Sequence, residues 1–160
     1  MFNVKIYTGS REENYELVKK QLKALLDGES NQIANLSNAA ALLNQFLDRV
    51  NWVGFYLMDT NNELVLGPFQ GLPACIRIPV GRGVCGAAAE TRETVRVKDV
   101  NQFPGHIACD AASQSEIVIP LLKEGRLIGV LDIDSPETNR FDVLDQEKLE
   151  EFVAVLMEFM

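Results

Sequence analysis

The amino-acid sequence predicts an α+β domain in which a central antiparallel β-sheet is flanked by N- and C-terminal helices. Three observations predict it. Apolar residues recur at helical spacing between Ser10 and Leu47 and again between Asp142 and Met160. The middle of the chain instead carries short β-branched and aromatic runs separated by turn residues. Helices kept to the ends of a run of strands argue α+β rather than an alternating order. The 160 residues suit one domain over residues 1–160, since no repeat, linker or low-complexity tract divides it. Residues 1–50 form its helical segment. Residues 51–160 hold the sheet, the long loops and the last helix.

Ser10 and Glu13 form the S-x-x-E pattern of a capping box, in which each side chain satisfies an orphan amide of the first turn. Tyr15, Val18, Leu22, Leu25 and Leu26 follow at helical spacing, and Gly28 ends the helix. Ser30 is the expected cap of a second helix, with Ile33, Leu36, Ala40, Leu43 and Leu47 on one stripe. WVGFYLM from Trp52 reads as a strand, DTNN as a turn and ELVLG from Glu63 as a second strand. IRIP from Ile76 and VRV from Val95 are further strands, with an alanine-rich helical piece at 87–90 between them. EIVIPLL and LIGVLDI form a hairpin joined by KEGR. Both its strands are apolar on both faces, so the sheet must be covered twice: by helices on one side, by loops or a ligand pocket on the other. Residues 98–115 carry no apolar period, and an unpatterned stretch of that length is functional or disordered.

A net charge of −8 argues against a nucleic-acid partner or an anionic membrane surface, because such binding needs clustered Lys and Arg. It suits a cationic or zwitterionic ligand. No apolar run approaches the roughly 20 residues of a membrane span, and MFNVKIYTGSREEN lacks the apolar core of a secretory signal. A cytoplasmic location is therefore expected. Three cysteines in a reducing compartment point to redox or catalytic thiols rather than structural disulfides.

GRGVCG from Gly81 matches G-x-G-x-x-G. The surrounding pattern is not a repeated βαβ, so glycines turning the chain into a short helix are the favoured reading over a nucleotide site. Cys75, Cys85, Cys109 and His106 lack the closely spaced pair of a structural zinc site. His106 lies three residues before Cys109, yet no signature of a Cys–His acyl-transfer enzyme accompanies them. The carboxylates carry more. Asp132 and Asp134 share one face of a strand. Whether Glu116 joins them depends on hairpin register. A two-residue turn, Glu124-Gly125, sets Glu116 opposite Ile133 and away from both aspartates. A three-residue turn, Glu124-Gly125-Arg126, sets it opposite Asp134. Three acids on one face repel and raise at least one pKa, an arrangement rarely tolerated without a ligand.

NWVGFY at Asn51, GPFQG at Gly67, CIRIPVGRGVCG at Cys75, VKDVNQFPGHIACD at Val97, SEIVIPL at Ser115 and GVLDIDSP at Gly129 together resemble the free methionine-(R)-sulfoxide reductases, enzymes built on a GAF domain. The resemblance runs from about Trp52 to the C-terminus. It implies reduction of free L-methionine (R)-sulfoxide. Cys109 matches the catalytic cysteine, Cys75 its usual resolving partner and Cys85 the third. Glu116, Asp132 and Asp134 match the acidic cluster, and Trp52 and Tyr56 match aromatics lining the pocket. The implied sequence is attack of the Cys109 thiolate on the sulfoxide sulfur with Glu116 as proton donor, then a sulfenic acid, a disulfide and reduction by thioredoxin. No metal or organic cofactor is implied. The competing reading is a non-catalytic GAF sensor of a small molecule. Amphipathic helices at both ends offer a surface for a homodimer.

Overall fold

In the computed structural model, which describes residue 3 and residues 5–160, the two N-terminal helices stand where the apolar spacing puts them. Helix α1 spans Arg11–Leu26 and opens on the Ser10/Glu13 capping box. Gly28 follows with φ 79°, the left-handed conformation that stops a helix. Helix α2 spans Gln32–Phe46. Its cap is Asn31 rather than Ser30, the Asn31 side chain accepting from the Ala34 amide at 3.0 Å. Leu36, Ala40, Leu43 and Leu47 are buried, but Ile33 is 68% exposed. It stands in the first turn of the helix.

Six strands follow in one sheet: β1 (Trp52–Met58), β2 (Glu63–Gln70), β3 (Arg77–Pro79), β4 (Val95–Val97), β5 (Ser115–Lys123) and β6 (Arg126–Ser135). All pairings are antiparallel, in the order β3-β2-β1-β6-β5-β4. β2 runs past ELVLG to Gln70, and β3 begins after Ile76, which is exposed. Helix α3 (Gly83–Thr91) crosses between β3 and β4, and helix α4 (Val143–Met157) closes the chain. Residues 98–115 are ordered by turns, including one turn of 3₁₀ helix at Val100–Gln102.

The pleat sorts side chains to two faces. Val53, Phe55, Ile117, Ile119, Leu131 and Ile133 point to one, and α1, α2 and α4 cover them with Leu22, Leu26, Leu36, Leu43, Leu149 and Phe152. Each such leucine contributes about 2 kcal/mol by leaving water. The other face is shared by β1, β5 and β6 with α3 and the 98–115 loop, and it is only partly apolar.

The hairpin register combines both expected alternatives. The turn is the two-residue Glu124-Gly125, both with positive φ, pairing Lys123 with Arg126 and Leu122 with Leu127. The register then shifts between Leu121 and Leu122, and Leu121 pairs with Gly129. Ile128 is the extra residue of this β-bulge, which restores the register of a three-residue turn. Glu116 thereby faces Asp134, and Val118 faces Asp132.

Candidate active site

Across the inner face, Glu116 on β5, Asp134 on β6 and Trp52 on β1 form one row, since Asp134 pairs with both neighbours. In the next row Val118, Asp132 and Gly54 stand side by side. Gly54 is required there: a Cβ would lie 2.3 Å from the Phe69 Cβ and 2.6 Å from the Trp52 ring. Its missing side chain lets the Trp52 indole lie along the sheet, stacked on Tyr56 at 5.9 Å and on Phe69 at 5.2 Å between ring centroids. The indole N–H donates to the Leu72 carbonyl at 3.1 Å. Tyr56 does more than line the cleft. Its hydroxyl donates to the Cys75 carbonyl at 2.9 Å and anchors the segment that carries this cysteine.

Cys75 and Cys109 are joined by a disulfide across 34 positions of sequence, their Cα atoms 5.6 Å apart. Cys109 reaches the site from the 98–115 loop. Asn51 ties the base of that loop to β1: its amide donates to Asp110 Oδ2 at 2.9 Å and to Ser113 Oγ at 3.1 Å. The zinc set considered from sequence is thereby excluded in this state, because two of its cysteines are bonded to each other. Cys85 is free and buried in the first turn of α3. Its thiol lies 3.9 Å from Glu116 Oε1, within reach of a weak S–H···O bond. The glycines of GRGVCG turn the chain into this helix, as the simpler reading of the motif expects.

One cleft is lined by the aromatic pair, all three cysteine-bearing segments, the acids and His106. His106, considered from sequence as a zinc ligand or a base for Cys109, meets Glu116 instead. Its Nε2 stands 3.8 Å from Glu116 Oε2, and burial lowers its pKa. The sequence marked it by its nearness to Cys109 and its place in the unpatterned loop, but gave it no partner among the acids. Arg82, Asp110 and Ser113 join the cleft in the same way, from segments without period.

The electrostatics are uncompensated. Glu116 and Asp132 are each 6% exposed. Burial drives the Glu116 pKa well above the usual carboxylate range, and the charges of Asp132 and Asp134 push the same way. Burial likewise raises Asp132 to about 6. Asp134 is raised by burial and by Asp132, against a hydrogen bond from Ser113. The Cys85 thiol is raised by burial and then by the three acids. Asp132 Oδ1 is buried with no hydrogen-bond partner among the described residues. Such an atom costs about 1–3 kcal/mol, more when charged, unless a ligand meets it.

Comparison with known proteins fits this geometry. The GAF domain family matches residues 24–158. The free methionine-R-sulfoxide reductase of Escherichia coli is 50% identical over 92% of this chain and 88% of its own length. The chain belongs to the free methionine-(R)-sulfoxide reductase family of GAF domains. The chain is also 56% identical to protein YtsP of Bacillus subtilis, over 98% of this chain and 96% of that protein. The solved structure of the Staphylococcus aureus enzyme of the family in complex with its substrate superposes with a TM-score of 0.87. That enzyme is 53% identical, and the match covers 97% of this chain and 99% of the other.

Proposed function

We propose that the chain reduces free L-methionine (R)-sulfoxide to methionine, and that it does so as an oxidoreductase using Cys109 as its reacting thiol. The observation that carries this reading is the pairing of a Cys75–Cys109 disulfide with a buried, uncompensated acid cluster in one cleft. A substrate with an ammonium group supplies the missing positive charge. A polarised S–O bond accepts the proton that Glu116 holds.

Asp132 and Asp134 receive the ammonium, and the unpartnered Asp132 oxygen is the atom it meets. Arg82, Gly83 and Val84 line the same cleft at the N-terminus of α3, where a carboxylate is favoured by charge and by the helix dipole. Trp52 and Tyr56 pack the S-methyl end. The Cys109 thiolate attacks the sulfoxide sulfur while Glu116, neutral because its pKa is raised, protonates the oxygen. Methionine leaves and the oxygen stays on Cys109 as a sulfenic acid. The Cys75 thiol condenses with it, releasing water and forming the disulfide. A thioredoxin-class dithiol then reduces that disulfide by exchange. No metal or organic cofactor takes part, and a reducing compartment such as the cytoplasm keeps the cycle running. Cys85, on the cleft floor beside Glu116, does not resolve the sulfenic acid. The acids, with Asp110, oppose ionisation of Cys109 in the free enzyme. The substrate ammonium offsets them, so the thiol ionises within the complex.

A thioredoxin-coupled NADPH assay tests the reading with three substrates: free methionine (R)-sulfoxide, its S epimer and a peptide-bound sulfoxide. Turnover of the free R epimer alone is expected. Equal turnover of the peptide, or none of the three, contradicts it.

A further inference from the structure

Cys85 is a buried nucleophile that the proposed reaction leaves idle. Its Sγ and one oxygen each from Glu116 and Asp132 all lie within 4.8 Å of one another. A tetrahedral zinc-class ion, with bonds of about 2.0–2.3 Å, holds its donors roughly 3.3–3.8 Å apart. Small side-chain shifts therefore close this trio on an ion. His106 lies outside this trio; its Nε2 is 3.8 Å from Glu116 Oε2, and it becomes the fourth donor when its ring turns toward Cys85 and Asp132.

We infer that Cys85, Glu116, Asp132 and His106 form a binding site for one borderline-soft divalent cation, an ion that occupies the cleft floor in place of substrate. Two observations beyond the acids themselves point to a ligand here. Asp132, 6% exposed, keeps Oδ1 without a partner. The thiol beside it is neither bonded to another cysteine nor exposed. Three of the four donors sit on α3, β5 and β6, regular elements that hold them still, while His106 closes the set from the loop. One sulfur, one imidazole and two carboxylates select zinc, cadmium or cobalt over magnesium or calcium, whose hard ions prefer oxygen alone. Binding displaces the Cys85 proton and any protons held by the acids into solvent, and the ion neutralises their mutual repulsion. Cys75 and Cys109 contribute no ligand, so the oxidised enzyme binds the ion as well as the reduced one. The ion is an inhibitor, not a cofactor: it holds the carboxylates that the substrate ammonium needs.

The test uses the oxidised full chain, stripped of metal, titrated with Co²⁺ at pH 7.5 and followed by absorbance. It does not depend on turnover, so its outcome is separate from that of the reductase reading. One Co²⁺ per chain is expected, with tetrahedral visible bands and a near-ultraviolet sulfur-to-cobalt band. Zn²⁺ should displace it one for one, and millimolar Mg²⁺ should not. Cys85→Ala should remove the sulfur band and weaken binding at least tenfold. Asp132→Asn should weaken it by a similar factor, with circular dichroism showing both variants folded. Absence of saturable one-to-one binding in the wild-type chain overturns the inference. So does a sulfur band that survives Cys85→Ala.

Discussion

Two buried aspartates, Asp145 and Asp132, are treated in opposite ways by the same fold. Asp145, 2% exposed, stands in the first turn of α4 and bonds to Arg11 and Tyr15 of α1. It accepts from the Tyr15 hydroxyl at 2.7 Å, from Arg11 at 3.0 Å, from Arg140 at 3.1 Å and from the Asp142 amide at 3.0 Å. Asp132, 6% exposed, is surrounded by Glu116, Asp134 and Cys85, and one of its oxygens is left unpartnered. Both are inside; only the first is satisfied by the chain. A carboxylate with four donors belongs to the structure. A carboxylate whose neighbours are other acids carries a cost that the chain itself does not offset.

The contrast can be broken most sharply at Glu116, the acid packed against Asp132. Glu116→Gln should lower kcat/KM by roughly 10²–10⁴-fold, the range for losing a general acid, while the protein stays folded. An unchanged rate would remove Glu116 from the chemistry. At Asp145 the expected effect is on stability. Asp145→Asn strips the charge from a pair with Arg140, whose side chain is 6% exposed, and should cost about 3 kcal/mol in urea unfolding. The fraction that remains folded should keep its kcat/KM. If activity fell instead, the two aspartates would not divide as described.

Asp132→Asn should do the reverse: raise stability while impairing substrate binding. Its folded pKa is raised from 3.8 to about 6. The folded state therefore favours the protonated acid. That advantage is complete below about pH 4 and is lost as pH rises through about 6. At pH 7.5 the variant should be more stable than wild type by about 3 kcal/mol, and near pH 4 the difference should vanish. A gain that stayed constant across this window would locate the strain elsewhere. A subtler effect concerns the Cys109 thiol. Its pKa in the reduced enzyme should fall when a methionine analogue binds, as thiol alkylation against pH would report. A thiol already ionised at neutral pH without ligand would show that the acids do not govern it.

Much of this was legible in the sequence, and the rest was hidden for physical reasons. Helical and strand periods marked every major element, because burial on one face leaves a pattern in the residues. The same-face placement of Asp132 and Asp134 followed from strand pleat alone. The position of Glu116 did not. A two-residue turn argues for the wrong face, and only the bulge at Ile128 returns Glu116 to the aspartates. A bulge leaves no reliable mark in a run such as LIGV. The cap at Asn31 rather than Ser30 was a choice between adjacent residues of equal propensity. His106 and Ser113 lay in a segment whose shape depends on distant partners such as Asn51, so nothing local announced their roles. The resemblance pointed to the cysteines and acids, and the fold brings them to one cleft. The structure added Tyr56 as the anchor of Cys75 and the seating of Cys85 against Glu116.

The central claim is that Cys109 and Cys75 carry the redox cycle above an acid floor that Cys85 shares without reacting. It is tested most directly by a single turnover. Fully reduced protein is mixed with excess free methionine (R)-sulfoxide in the absence of any reductant, and methionine and remaining thiols are counted. One methionine per chain and one remaining thiol, mapped to Cys85 by alkylation and peptide analysis, is the predicted result. A remaining thiol at Cys75 or Cys109, or methionine formed with all three thiols intact, would contradict it.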